Sequence, residues 1–466
     1  MQPDRPPPVS AETADSQQAR HAGLSLAVIL TTVTLVVLDG AIANIALPSI
    51  THSFGVSAGD AVWIVTTYQL GVVVALLPCS AIGESVGGRK VYVSGVVLFT
   101  LASAACALAP NMPVLVSARF VQGLGGGAIM GLGAMMIRFT FRPELLAHAL
   151  GWNAMMVALS SAAGPPVGAM ILSVADWPWL FIVNIPIGAL VILASRNLPR
   201  PSGSGRRLDG PSAALNTGFF VLLVLGADMA ATRAIEGWAM LAVAAICLAA
   251  LILRARRQEA PLIPIDLFRN GSFRYSVAAS ITCFSGQTLG YLALPFLIQH
   301  EMGRSIFTAG SVMMVWPLLV AATAPVSARL SKRMPTGLIC AAGGSALALG
   351  LVVCGVWSSS DSLTPVVSGI VLCGVGFGLF QTANNQVLLL SAPKKRSGAA
   401  GGMQGTARLM GQTVGALAMS LLFDHAPDGL ALKTALLLAA AFALCAAVIS
   451  SIRWRHDRLV QSDSAP

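Results

Sequence analysis

From Leu24 onward the chain repeats one pattern: an apolar run of about twenty residues, then a short break carrying arginine or lysine. A helix needs roughly 20 apolar residues to cross the hydrocarbon of a bilayer. Fourteen such runs can be drawn, at about 24–47, 61–83, 91–110, 113–137, 146–173, 178–196, 212–229, 236–253, 274–298, 306–328, 336–357, 364–391, 398–423 and 430–452. They predict an all-α membrane protein with 14 transmembrane helices. Composition agrees: 10% of the 466 residues are charged and 55% hydrophobic, whereas soluble domains carry about a quarter charged.

The basic residues set the expected orientation. With the N-terminus cytoplasmic, 24 of the 29 lysines and arginines fall on the cytoplasmic side. Three fall outside (Arg233, Arg304, Lys433) and two lie within spans (Arg119, Arg408). One missed span midway would collapse that asymmetry, so an even count with both termini cytoplasmic is expected. The net charge of +10 therefore does not imply nucleic acid, because the basic residues sit in loops between apolar runs rather than on a soluble module. Residues 1–22 are rich in Pro, Ser, Gln and Ala and read as a disordered tail. The first run, Leu24 to Leu47, is too long for a signal-peptide core and lacks a clear cleavage site. Eight cysteines lie singly in apolar stretches and read as small packing residues.

A weak internal repeat divides the chain. Gly123, Gly125 and Gly127 in the fourth run match Gly374, Gly376 and Gly378 in the twelfth, and the first and ninth runs begin at nearly the same offset. This predicts a six-helix half over 23–200, two inserted helices and a linker over 201–272, a second half over 273–453 and a tail over 454–466. Paired halves are a transporter architecture with the substrate path between them.

Ionisable groups inside a bilayer are costly and usually functional. Asp39 lies in the first run, Arg119 in the fourth and Arg408 in the thirteenth, with Glu84 and Asp228 near span ends. Taking 1.5 Å per residue, Asp39 is about 12 Å and Arg119 about 9 Å from the outer end of its run, so the two share a level. An acid in such a place has its proton affinity raised by desolvation and lowered by a nearby cation. Moving the cation would therefore load or release a proton; the alternative is a static ion pair that pins two helices. The six histidines fall in loops, tails or span ends, with no metal-ligand spacing, and no enzyme activity, metal or cofactor is expected.

Several of these segments resemble the fourteen-span drug:proton antiporter branch of the major facilitator superfamily. Leu38-Asp39-Gly-Ala-Ile-Ala-Asn44-Ile-Ala46-Leu47-Pro48 is similar to its first-span motif, and Arg119-Phe-Val-Gln122-Gly123-Leu-Gly125 to its fourth-span motif. Ala163-Gly164-Pro165-Pro166-Val-Gly168 resembles the fifth-span antiporter motif, with Ser160 and Ala169 where glycines are usual. Trp177-Pro-Trp179-Leu-Phe181-Ile-Val-Asn184-Ile-Pro186-Ile-Gly188 looks like the entry to the sixth span. The resemblance implies two six-helix halves plus two inserted helices, with Asp39 and Arg119 in proton coupling. It also implies gating by Gly164, Pro165 and Gly168 and by the loop motif ending Glu84, Arg89, Lys90. That loop is degraded: Ser80, Glu84 and Ser85 replace a glycine, an aspartate and an arginine, though Glu84 can still pair with a cation.

Polar or aromatic residues inside the runs are candidates for the substrate cavity: Asn44, Trp63, Tyr68, Gln69, Gln287, Tyr291, Gln381, Asn384, Asn385 and Arg408. For each amide the competing role is a hydrogen bond between helices; for Arg408 it is helix packing. The resemblance implies proton-coupled efflux of small amphipathic compounds, most simply lipophilic cations, across the cytoplasmic (inner) membrane by a monomer. Accessory efflux partners remain compatible with it. A neutral or anionic natural product with Arg408 as counter-charge is the alternative cargo, and a metabolite:proton symporter a more distant one.

Overall fold

The computed structural model describes residues 11–56, 58–205, 209–230, 234–258, 261–357, 362–425 and 431–463. The long elements are all helices. The first group is α1 (Ala11–Phe54), α2 (Ala58–Val86), α3 (Gly88–Ala107), α4 (Met112–Thr140), α5 (Pro143–Leu172), α6 (Trp179–Ile182) and α7 (Asn184–Ala194). A pair follows, α8 (Gly210–Ala230) and α9 (Ala234–Ala255). The second group is α10 (Gly271–Phe296), α11 (Ile306–Leu330), α12 (Thr336–Val356), α13 (Thr364–Leu390), α14 (Ser397–His425) and α15 (Ala431–Asp463).

Among the described residues twelve helices are long and apolar enough to cross a membrane, against the fourteen drawn from the sequence. The two runs that fall short do so for different reasons. The apolar stretch of α8 is the shorter Gly210–Gly226. By contrast, α14 has the length, 29 residues, but spends it on Gln404, Arg408 and Gln412, which face a cavity rather than lipid. The sixth run is split into α6 and α7 at Val183, because Pro186 has no N–H to give the carbonyl of Ile182 four residues back. Both ends also differ from expectation. Residues 11–22, read as a disordered tail, are the first turns of a 44-residue α1, and α15 continues through 454–463. Ala, Glu, Gln and Arg are good helix formers, and a helix already nucleated by the apolar run adds turns at little cost.

The two groups have the same internal plan. In the first, α4 packs on α2 and α3 while α1 packs on α5 and α7; in the second, α13 packs on α11 and α12 while α10 packs on α14 and α15. The repeated glycines make equivalent contacts. A Cβ on Gly125 would stand 2.7 Å from the Gly95 carbonyl oxygen and the Phe99 nitrogen of α3. One on Gly376 would stand 2.5 Å from the Gly343 oxygen and the Leu347 nitrogen of α12. Both are backbone against backbone, where no rotamer can relieve the clash, so small residues set the helix spacing. The α8–α9 pair lies outside this plan. It packs on α2 through Phe219, Phe220 and Ala244 against Leu70 and Val74, and Asn216 donates to the Val74 carbonyl. The pair is closed at one end by Asp209, whose carboxylate accepts two hydrogen bonds from Arg254 at 2.7 and 2.8 Å. Arg254, helped by Ser212 and Gln258, holds the Asp209 carboxyl well below the usual carboxylate range.

The halves meet through α2 and α4 against α14, and through α5 against α11 and α13. These contacts are tied together at the end where both termini lie, the basic end. Glu84 of α2 pairs with Arg396 at 2.8 Å and accepts from the Ala399 amide at 2.7 Å. Arg396 also grips Asp266 through two 3.0 Å bonds and donates to the Pro261 carbonyl. Arg138 of α4 donates to the carbonyls of Leu389 and Ala392 beyond it. So the cation that meets Glu84 comes from the other half of the chain. Arg89, half-buried, and Lys90, exposed, are not its partners.

Two outcomes follow from this packing. Gly125→Val and Gly376→Val should each lower the thermal midpoint of the detergent-solubilised protein, by overpacking that typically costs about 1–3 kcal/mol. Equal stability of either variant would show that the repeat is not a packing device. Arg396→Ala should open the basic end, raising several-fold the labelling of a cysteine placed at Gln404 by a membrane-impermeant maleimide added from that side; unchanged labelling would mean the tie is not what closes it.

Candidate functional site

The structure brings Asp39 and Arg119 together inside the first half. Arg119 Nη1 lies 2.6 Å from Asp39 Oδ2, and both side chains are essentially removed from the surface, at 0% and 1% exposure. Four helices besides α1, namely α2, α3, α4 and α7, complete the cluster. Gln122 of α4 donates to Asp39 Oδ1 at 3.0 Å, and Asn184 of α7 donates to the same oxygen at 2.6 Å. Gln122 also donates to the Ser103 hydroxyl of α3 at 2.8 Å. Arg119 spends its remaining bonds on the Ile64 carbonyl and the Gln122 amide oxygen, and its Nη2 has no partner. The Tyr68 ring lies under the guanidinium, 4.2 Å from it, with its hydroxyl donating to the Val36 carbonyl one turn from Asp39.

The chemistry of that cluster is directional. An ionised Asp39 accepts three bonds and offers none, which suits its three donors. A proton on Oδ1 would convert it to a donor, so Gln122 or Asn184 would have to present an amide oxygen instead, and the attraction for Arg119 would fall. One protonation therefore rearranges the contacts of α1, α4 and α7 together. Gly164 couples α5 to the same place: a Cβ there would stand 2.3 Å from the Ala41 Cβ, two residues beyond Asp39. Gly168 is buried in α5 as well. The side chains of Asn44, Pro165 and Asp228 lie outside those described.

A separate cavity lies between the halves. Its wider part, about 310 Å³, is lined by Phe284, Gln287, Tyr291, Trp316, Phe377, Gln381, Arg408 and Gln412, with Val157 and Ser161 of α5 on the facing side. A narrower part of about 60 Å³ runs on toward the basic end past Asn153, Asn385 and Gln404, where α1, α2 and α4 close it with Val33, Val72, Leu76 and Met130. Arg408, Gln381, Phe284 and Val157 line both parts. Two edge-to-face aromatic pairs stand in the wall, Tyr291 with Trp316 and Phe284 with Phe377.

Of the cavity residues expected from sequence, the structure assembles Gln287, Tyr291, Gln381, Asn385 and Arg408 there. Four others, Tyr68, Asn384, Trp63 and Gln69, do not line it. Tyr68 is part of the Asp39 cluster. Asn384 is fully buried, donating to Ser280 and to the Ser276 carbonyl and accepting from Arg453 at 2.7 Å. One residue along a helix is a rotation of about 100°, enough to move an amide from the cavity wall to the helix interface. Trp63 is half-buried; Gln69 is exposed, on the stripe of α2 that carries Leu76 and Ser80 toward α14. Sequence reasoning missed Ser103 altogether, and missed Gln122 and Asn184 as ligands of Asp39, although both stand in the quoted motifs. Asn153, Gln404 and Gln412 were missed in the cavity. Their signal was polarity inside an apolar run, shared with many amides that only pack. Arg453, counted as a positive-side anchor, is fully buried on Ser276, Asn384 and Cys340.

Known proteins share this plan. Residues 29–416 match the Major Facilitator Superfamily, with an overlapping match over 277–460. The uncharacterized transporter YebQ of Escherichia coli is 37% identical over 91% of this chain and 94% of its own length. The riboflavin transporter RibZ of Clostridioides difficile is 30% identical over 83% and 85%. The multidrug resistance protein Stp of Mycobacterium tuberculosis is 31% identical over 82% and 72%. A chain of membrane-length helices in two repeated halves, with a cavity between them and relatives of this kind, is a multi-pass membrane transporter rather than an enzyme, and it belongs to the Major Facilitator Superfamily.

Proposed function

We propose that this transporter is a proton-driven exporter of small amphipathic compounds, working as an antiporter in the cytoplasmic membrane. In this reading α8 and α14 cross the membrane too, giving fourteen spans with both termini and the basic end cytoplasmic. The observation that carries it is the position of Asp39. It is a carboxylate held out of water against one guanidinium, on helices of the first half, and outside the cavity between the halves. A buried acid–base pair of this kind is stable only while both members are charged. Removing one charge costs about 3–5 kcal/mol, which is on the scale needed to shift a two-state equilibrium from one side to the other.

Protonation from the outer side would weaken the Asp39–Arg119 pair and favour parting of the halves at the basic end, where Glu84, Arg396 and Arg138 now hold them closed. Release of the proton inside would restore it. The motor needs no cofactor beyond the proton gradient. Export, rather than uptake, is supported by similarity to the multidrug resistance protein Stp and by the Gly164–Ala41 approach, which links α5 to the acid-bearing stretch of α1.

Everted vesicles test this directly. With an acidic lumen, wild-type protein should accumulate a fluorescent amphipathic substrate against its gradient, and dissipating the gradient should release it. Asp39→Asn should cut that accumulation at least tenfold, while gradient-free exchange of labelled for unlabelled substrate continues. If the variant, present in the membrane at the normal level, still accumulates substrate, Asp39 is not the coupling group. Gradient-driven expulsion from the same vesicles would indicate symport instead.

A further inference from the structure

The charges around the cavity bear on what it carries. Arg408 stands where the two parts of the cavity join, and among the described residues no carboxylate pairs with it. Its Nε is buried with no hydrogen-bond partner. Trp316, 2% exposed, lines the same cavity, and its indole N–H is buried without a partner too. The wall contains no aspartate or glutamate; its other polar groups are amides and hydroxyls. A cationic cargo would therefore meet an unneutralised guanidinium in low dielectric with no acid to receive it, since Asp39 is already held by Arg119, Gln122 and Asn184.

We infer that the cavity takes an aromatic organic monoanion, its carboxylate set against Arg408 and its ring between the Tyr291–Trp316 and Phe284–Phe377 pairs. Two unpartnered donors call for an acceptor, and a charged acceptor satisfies the guanidinium where a neutral one leaves a bare charge. Gln381 and Gln287 turn either end of their amides to the rest of the molecule. This rests on the cavity being the substrate path of the proposed exporter and replaces the lipophilic cation expected from sequence resemblance.

Three probes that share a naphthylmethyl group separate the possibilities: 2-naphthylacetate, its isostere 2-naphthylacetamide and N,N,N-trimethyl-(2-naphthyl)methylammonium. Binding is measured by calorimetry on the full chain in nanodiscs, with empty nanodiscs subtracted. Naphthylacetate should bind 10- to 100-fold more tightly than the amide, the range of a charge-assisted hydrogen bond, and the ammonium weakest of all. Arg408→Gln should abolish that preference, and Arg408→Lys should keep most of it, which a purely structural role would not produce. A preference for the ammonium, equal binding of all three, no binding of naphthylacetate, or an unchanged preference in Arg408→Gln would each overturn the inference. Gradient-driven accumulation of the ammonium alone would leave the export reading standing and remove this one. Tight naphthylacetate binding without gradient-driven movement would do the reverse.

Discussion

A charge inside a bilayer protein has to be answered by something, and the placement of a few buried charges organises this structure. Asp39 is answered by Arg119 and by two amides from different helices. Because those donors come from α4 and α7, the carboxylate acts as a common fastening for the first half. Its replacement by an apolar group would leave Arg119 stranded, with only the Ile64 carbonyl, the Gln122 amide and the face of Tyr68. The glycines matter for the same reason. The close approach they allow seats α4 against α2 and α3, which bring the Ile64 carbonyl, Tyr68 and Ser103 to the same cluster.

The arrangement separates two tasks. In the proposed cycle protonation is handled inside one half, and cargo is held between the halves. Tyr68 is the residue nearest to joining them. Its ring touches Arg119, its hydroxyl holds α1 beside Asp39, and Val72, one turn further along α2, lines the cavity. A shift of Arg119 on protonation would therefore be felt at the cavity through one side chain. The basic-end tie supplies the other requirement of such a cycle. Glu84, Arg396 and Asp266 link α2, the start of α14 and the segment after the inserted pair, so parting the halves there must break several bonds at once. That makes the closed form a distinct state rather than one point on a continuum.

Much of this was legible in the sequence, and what was not has a common cause. Apolar runs and basic breaks reveal helices because a bilayer imposes their length, and the level shared by Asp39 and Arg119 follows from counting residues. Rotation about a helix axis is not recorded in that way. Asn384 and Asn385 look alike as letters, yet one binds Arg453 and the other lines the cavity. Arg453 and Arg396 look like anchors in the headgroup region, yet one is buried in the second half and the other fastens the first to it. Hydropathy also leaves α14 below the level of a span, since a helix that lines a cavity gives up the composition by which spans are found.

Three guanidiniums within the helices, Arg119 and Arg453 fully buried and Arg408 half-buried, show how far environment, rather than residue type, assigns the role. Arg119 faces an acid and can respond to a proton. Arg453 faces a hydroxyl, an amide oxygen and a thiol and no acid; it is a fixture. Arg408 faces an empty space large enough for a small aromatic molecule, and among the described residues nothing else neutralises it. A buried cation left without a counter-charge is unfavourable in the resting protein. Its retention at the junction of the cavity is understandable if the missing charge arrives with the cargo, so that binding energy is released where the two halves meet.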